Sequence, residues 1–254
     1  MVAELGPLTR ALIGLADDGD DHLLAGRICR MCVEGLQVDG AAISLLTATE
    51  ARETLSVTDS TAATLEDLQF TLGEGACIEA AATGRPVLVP DLHDHGLTTR
   101  WPIFAAAVAE QTNVRALFAL PLRLGTINLG VLDLYRTTPG PLRGDELRDV
   151  VAAADTATVM LLGASARDTR SADGRLRDGE HWQVHQGNGA WWEGVHSDRA
   201  EVHQATGMIL AQLDIPAQDA FVRLRAYAFA HRRPVGDVAR DVVARRLVFT
   251  EDMN

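Results

Sequence analysis

The chain has 254 residues, a formal net charge of −12 and 47% hydrophobic residues, the balance of an ordinary globular protein. It is long enough for one large domain or two modest ones. The acidic excess argues against a protein that coats nucleic acid without selectivity. No apolar run approaches the roughly 18 residues of a membrane span, and residues 1–19 lack a basic stretch followed by an apolar one. Three cysteines, Cys29, Cys32 and Cys77, cannot form an even disulfide framework, so a reducing cytoplasm is the expected setting.

The charge is unevenly spread. Residues 198–254 hold eight Arg and eight acids, so the excess acid lies in residues 1–197. Two of those late acids, Glu251 and Asp252, sit in the tail, which leaves 198–249 locally positive. All 23 basic residues are Arg, a planar fork suited to phosphate and to stacking on bases.

In chain order, apolar residues at three- and four-residue steps predict a helix over 8–38, with the acidic patch 17–21 as a point where it breaks. Residues 41–47 and 53–58 read as strands. Asp59-Ser60-Thr61 starts a helix over 62–69, followed by a short extended piece at 70–72. Gly73-Glu74-Gly75 then makes a tight turn before a helix over 76–83 that Gly84 closes. Residues 86–89 form a strand stopped by Pro90-Asp91, and 102–111 a helix. Residues 114–123 and 127–136 form a hairpin turning near Gly125, and 142–162 a long helix. Residues 163–190, rich in Gly, Ser, Asp and Arg, read as a linker. Helical periodicity returns from Asp198 and stops at Asp214-Ile215-Pro216. A second helix over 217–231 and a third over 235–247 follow, separated by Arg232-Arg233-Pro234. The predicted class is α+β: a mixed sheet between helices in the first domain, then a small three-helix bundle.

Few residues promise chemistry. No phosphate loop, nucleophile elbow, zinc-protease or dinucleotide motif is present. Cys29 and Cys32 form a CxxC inside a predicted helix. Core packing is the favoured reading there, and a redox or ligand-processing role for that pair or for Cys77 is the rival. His181 and His185, with His196 and His203 beyond, lack the cysteines and framing of a zinc site, and no metal is expected. Asp91, His93, Asp94 and His95 form a polar loop that is either surface or the closure over a ligand.

The C-terminal domain is richer. Seven Arg fall between Arg223 and Arg246. Arg225 and Arg232 lie two turns apart, with the rings of Tyr227 and His231 nearby, a combination that suits unpaired bases in RNA. The bland alternative pairs the Arg face with Asp219, Asp237 and Asp241. Gly207 inside a helix costs about 1 kcal/mol relative to Ala, so close approach of another helix or of nucleic acid is expected at it and at Ala205.

Glu201 to Phe249 resembles the ANTAR domain of transcription antitermination regulators. The resemblance is carried by Ala205-Thr206-Gly207-Met208-Ile209-Leu210, Ala220-Phe221, Leu224-Arg225, Ala228 and Asp237-Val238-Ala239. It departs from the pattern at Thr206, where many members carry Lys. The first part resembles a GAF sensor domain through residues 72–92 (LGEGACIEAAATGRPVLVPDL), Trp101-Pro102, Leu120-Pro121-Leu122 and residues 130–135 (GVLDLY). The order resembles the GAF–ANTAR regulators common in actinobacteria.

That resemblance implies a GAF-like antiparallel sheet with flanking helices over 1–163, a linker and helix lead-in over 164–197, a three-helix ANTAR domain over 198–249 and a tail over 250–254. It implies a signal-responsive, non-enzymatic regulator that binds paired RNA hairpin loops as a homodimer and promotes antitermination. The GAF-like part would take a small-molecule signal of unassigned identity, and no cofactor is identified. The RNA-contact set is Ala205, Thr206, Gly207, Arg225, Tyr227, Arg232 and Arg233. The rival for the tail is a helix-turn-helix that binds DNA.

Overall fold

The computed structural model describes residues 5–15, 23–46, 52–94, 96, 100–172, 190–231 and 233–250. The chain divides into two compact units, the first of residues 1–46 and 54–185 and the second of residues 186–254 with the short stretch 47–53. Among the described residues no helix is long and apolar enough to cross a membrane.

The first unit is a five-stranded antiparallel sheet in the order β2-β1-β5-β4-β3, formed by β1 (Gly40–Leu46), β2 (Arg52–Val57), β3 (Val87–Val89), β4 (Ala116–Leu124) and β5 (Ile127–Arg136). Its faces are covered separately. α1 (Pro7–Leu15), α2 (Leu24–Gly35) and α6 (Gly144–Ala172) share one hydrophobic cluster with Ile43, Phe118, Leu120, Leu132 and Leu134. α3 (Ser60–Leu72), α4 (Ala76–Thr83) and α5 (Pro102–Gln111) share the other with Leu117, Ala119, Val131 and Tyr135. The alternation along β4 and β5 follows the two-residue period of a strand. Because both faces are covered, residues 116–122 are nearly continuous in apolar character instead of alternating with polar ones.

Polar groups fasten the helices to this sheet. Asp149 on α6, 8% exposed, accepts from the N–H of Leu8 (2.9 Å) and Thr9 (3.1 Å) and from the Thr9 hydroxyl (2.8 Å), so α1 starts on a buried carboxylate. Asp59 caps α3 by accepting from Ala62 N–H (2.9 Å) and also accepts from the Tyr135 hydroxyl (2.9 Å). Burial, then the Asp59 charge, holds the Tyr135 phenol above its ordinary pKa. Gly130 is required by the sheet itself: a Cβ there would stand 2.0 Å from the Ser44 carbonyl oxygen.

The helix expected over 8–38 with a break at 17–21 is two helices, α1 and α2, with 16–22 outside the described residues. Other elements differ from expectation. Residues 70–72, read as extended because Phe and Thr favour strands, continue α3, which ends only where Gly73 takes φ 65° and donates to the Gln69 carbonyl. Local propensity yields there to propagation of a capped helix with Leu68 and Phe70 buried. Helix also enters both ends of the stretch read as linker: α6 runs on to Ala172, and α7 begins at Ala190.

The second unit is α7 (Ala190–Leu213), α8 (Ala217–Ala230) and α9 (Val235–Val243). Asp214 at φ 51° ends α7, and Pro216 and Pro234 stand at the entries of α8 and α9. Val202, Ala205 and Ile209 pack with Ala220, Leu224 and Ala228 and with Val235, Val238, Ala239 and Val242, all buried. The third helix is four residues shorter than predicted. Arg245 turns left-handed at φ 57°, the N–H groups of Arg246 and Leu247 close on the Asp241 carbonyl, and Phe249 folds back into the bundle, 3% exposed.

Candidate functional site

α8 presents three kinds of surface. Its buried side is Ala220, Leu224 and Ala228. Beside it, Tyr227 stacks on His231 at 3.9 Å and meets Phe249 edge-on at 5.4 Å. The Tyr227 ring therefore has an intramolecular stacking partner. On the outer side Val222 is 54% and Phe229 62% exposed, seven residues apart on one face, with the half-buried Arg223 and Arg225 flanking them in the helical period. The Arg225 guanidinium lies 5.5 Å from the Phe221 ring centre. Sequence reasoning does not single out Phe229, although its spacing from Val222 off the buried face is a signal that could.

The Arg cluster is largely met by acids. Arg233 donates to Asp241 at 2.6 Å, and Arg246 donates to the other Asp241 oxygen at 2.8 Å. Arg240 pairs with Asp237 and with Glu201. The hydrogen bond from Arg233, then that from Arg246, holds the Asp241 carboxyl below the ordinary aspartate value. The alternative that pairs the Arg face with Asp219, Asp237 and Asp241 thus describes Arg233, Arg240 and Arg246 through Asp237 and Asp241, while Asp219 makes no ion pair among the described residues. Arg245, exposed at the left-handed turn, makes no ion pair among the described residues. Arg232 lies outside the described residues.

The three α7 residues differ from one another. Ala205 is fully buried, so its methyl faces the helix bundle. Thr206 is half-buried and donates to the Val202 carbonyl at 2.7 Å. Gly207 is exposed, and a Cβ there would meet nothing within 4 Å. Among the described residues, packing gives no reason for a glycine at that position.

In the first unit, Cys29 and Cys32 are fully buried in the α2 face of the core. Burial pushes the Cys29 thiol well up and the Cys32 thiol to about 12. Both stay protonated at neutral pH, which suits core packing and not thiolate chemistry. The Gly73-Glu74-Gly75 turn does more than connect two helices: the Glu74 carboxylate accepts the N–H groups of Ile103 and Phe104, capping α5. In the polar loop, Asp91 accepts from His93 N–H and forms a two-pronged ion pair with Arg115 at 2.9–3.1 Å. The His93 bond, with Arg115, holds the Asp91 carboxyl below its usual value. The loop is braced by its own chain on that side, and His95 lies outside the described residues, as do His181 and His185. A pocket of about 410 Å³ is lined by Glu79, Thr83, Arg85, Val87, Leu88 and Arg100, with Arg100 and Glu79 paired across it.

The sequence matches the GAF domain family over residues 21–161 and the ANTAR domain family over 195–243. The chain is a GAF–ANTAR protein. The GAF domain family accounts for the five-stranded unit, and the ANTAR domain for the three-helix unit. A GAF sensor joined to an ANTAR domain fits a signal-responsive regulator of transcription, and both domains are regulatory in kind. Among solved structures, the GAF–ANTAR protein is similar to the GAF domain of a phosphoenolpyruvate-protein phosphotransferase from Coxiella burnetii (13% identity, 64% of this chain, 95% of that one, TM-score 0.50). It is also similar to the GAF domain of an Acinetobacter phosphoenolpyruvate-protein phosphotransferase (12%, 64% and 95%, TM-score 0.49). A free methionine-R-sulfoxide reductase from Neisseria meningitidis is similar at 17% identity, 63% and 89% coverage and a TM-score of 0.46. At these identities the likeness concerns the fold alone. No curated protein matches the chain.

Proposed function

We propose that the GAF–ANTAR protein acts in the cytoplasm as a homodimer whose ANTAR domains bind two hairpin loops in a nascent transcript and favour antitermination, in response to a small molecule at the GAF domain. The observation that carries this reading is the ANTAR match over residues 195–243, which falls on a compact three-helix unit. Two surface features support it. The outer face of α8 offers an exposed ring, Phe229, one helical turn from Arg225, the pairing of flat apolar surface and guanidinium that unpaired bases stack on. The open Gly207 on α7 lets a backbone approach closely. Of the expected RNA-contact set, Arg225, Arg232 and Gly207 remain the residues to test. Tyr227 and Arg233 are engaged within the domain, and Ala205 and Thr206 act through helix packing.

The test is binding of the full chain to a two-hairpin RNA, a single hairpin and duplex DNA across a salt series. Arg225→Gln with Arg232→Gln is expected to weaken RNA binding and to flatten the log–log salt slope by about 0.7–0.9 for each phosphate no longer neutralised. Phe229→Ala is expected to weaken it by about 1–3 kcal/mol with little change in slope, as removal of a stacking platform does. Tighter binding to duplex DNA than to hairpin RNA would reject the RNA reading in favour of a helix-turn-helix mode. No RNA binding at low salt by the folded chain would reject both.

A further inference from the structure

Three potential metal ligands meet inside the GAF domain, on the face covered by α3, α4 and α5. Glu66 comes from the middle of α3, Cys77 from the first turn of α4 and Asp133 from β5, and one carboxylate oxygen of each acid and the cysteine sulfur lie within 4.8 Å of one another. None of the three is a neighbour of another in sequence, so no spacing motif announces them. The surroundings are arranged around them. Asp133 sits in register with Ala42 on one side and Ala119 on the other, small residues that leave room above the strand. Gly75 (φ 123°) opens α4, and a Cβ there would run into Gln69 at 2.7 Å. Gln69 in turn accepts from Cys77 N–H at 2.8 Å, fixing the turn that carries the thiol.

A second observation points to a missing ligand. Glu66 is 1% exposed, and its Oε2 accepts from the hydroxyls of Ser44 and Thr54, but its Oε1 is buried with no hydrogen-bond partner. Glu66 also has no basic partner among the described residues. A buried carboxylate oxygen with neither donor nor counter-charge is costly. A cation at the cluster would remove that cost.

We propose that Glu66, Cys77 and Asp133 form a site for one divalent first-row transition ion. The donor set of one sulfur and two carboxylates suits a borderline ion such as Zn²⁺ and not Mg²⁺ or Ca²⁺, which select oxygen alone. At bond lengths of about 2.0–2.3 Å, ligand atoms on one tetrahedral ion stand about 3.5 Å apart, so the three need to close by an ångström or so. On binding, the metal–sulfur bond forms as the Cys77 S–H bond breaks and its proton leaves to solvent. Thiolate and two carboxylates then carry three negative charges against two positive. Three protein ligands leave a fourth position for an exogenous ligand. The Ser44 and Thr54 hydroxyls orient Glu66, as hydrogen-bonding groups behind metal ligands do. The ion would tie α3 and α4 to the central strand of the sheet, and its occupancy would be a signal the domain can hold. This inference is independent of whether the ANTAR domain binds RNA.

The test uses the full chain, stripped with chelator under reducing conditions, then given Zn²⁺ or Co²⁺ and desalted. One equivalent per chain is expected to remain. The Co²⁺ form should show the strong visible bands of a tetrahedral ion and a thiolate-to-cobalt charge-transfer band in the near ultraviolet. Cys77→Ser, checked for folding by circular dichroism, should lose the charge-transfer band. Ser44→Ala, which leaves all three ligands in place, should weaken binding about tenfold or more. A folded wild-type chain that retains no metal and shows only the weak spectrum of hydrated Co²⁺ overturns the proposal, whatever the variants do. A folded Cys77→Ser chain that keeps the charge-transfer band overturns it as well.

Discussion

In the GAF domain the aspartate that holds structure together is inside: Asp149 is 8% exposed and receives two backbone N–H groups and a hydroxyl from α1. In the ANTAR domain the aspartate with the most partners, Asp241, sits at the surface between Arg233 and Arg246. The larger unit has two apolar clusters, one on each side of a sheet, and can bury a carboxylate whose partners are backbone donors. The smaller one has a thin core of mostly Ala and Val and keeps its charges in water, where ion pairs contribute little. The difference teaches that an Arg-rich stretch is not automatically a binding face, since its own acids answer much of it.

The thin ANTAR core depends most on Phe249. This ring is 3% exposed, packs on Tyr227, and has its N–H held by Gln212 at 2.9 Å. Phe249→Ala is expected to cost about 3–5 kcal/mol, enough to unfold a bundle this small. The GAF domain should keep its own transition. Differential scanning calorimetry of the full chain should show the disappearance of one transition and not the other. A wild-type-like ANTAR transition would mean that the tail beyond α9 contributes nothing to the fold.

Asp149→Ala is the matching change in the larger domain. It leaves the Leu8 and Thr9 donors without their acceptor and should cost about 3 kcal/mol. The domain should survive with α1 loosened, visible as faster amide exchange over Pro7–Leu15. Unchanged exchange there would mean that apolar packing alone holds α1.

Much of this is legible in the order of residues. Periodicity and turn chemistry locate the sheet strands, the β4–β5 hairpin at Gly125 and the stops at Gly84, Asp214 and Pro234. Motif pieces such as GVLDLY and ATGMIL point to the two families. What escapes depends on distance in space. Nothing in the order of residues says that Arg233 reaches Asp241, that Phe249 returns to Tyr227, or that Glu66, Cys77 and Asp133 converge. Helix ends also escape wherever a residue of strand preference or of loop-like composition continues a helix, as at Phe70 and beyond residue 163.

Gly207→Ala separates stability from function. The position is exposed and open, so the methyl is accommodated and the helix gains about 0.5–1 kcal/mol from propensity. Thermal denaturation should show a stabilised ANTAR transition. If the glycine serves close approach of RNA, the same variant binds the two-hairpin RNA more weakly while being more stable. A variant that is both more stable and equally tight would remove Gly207 from the RNA-binding surface.

The smallest effect concerns acid. The hydrogen bond from Arg233, then that from Arg246, lowers the Asp241 carboxyl in the folded state. A lowered folded value means the stabilisation is fully present above the unfolded aspartate value of about 3.9 and disappears as pH falls through the folded value. Arg233 is charged throughout this range, so its own raised value adds nothing to the slope. The wild type should therefore lose its advantage over Arg233→Gln in ANTAR stability between about pH 5 and pH 2, and the two should converge at the acid end. Because both side chains are only half-buried, added salt should shrink the gap at neutral pH as well. The Asp149 anchor, inside the GAF domain, should respond to salt far less. Equal salt sensitivity of the two domains would mean that the contrast between a buried and a surface carboxylate does not govern how this protein holds itself together.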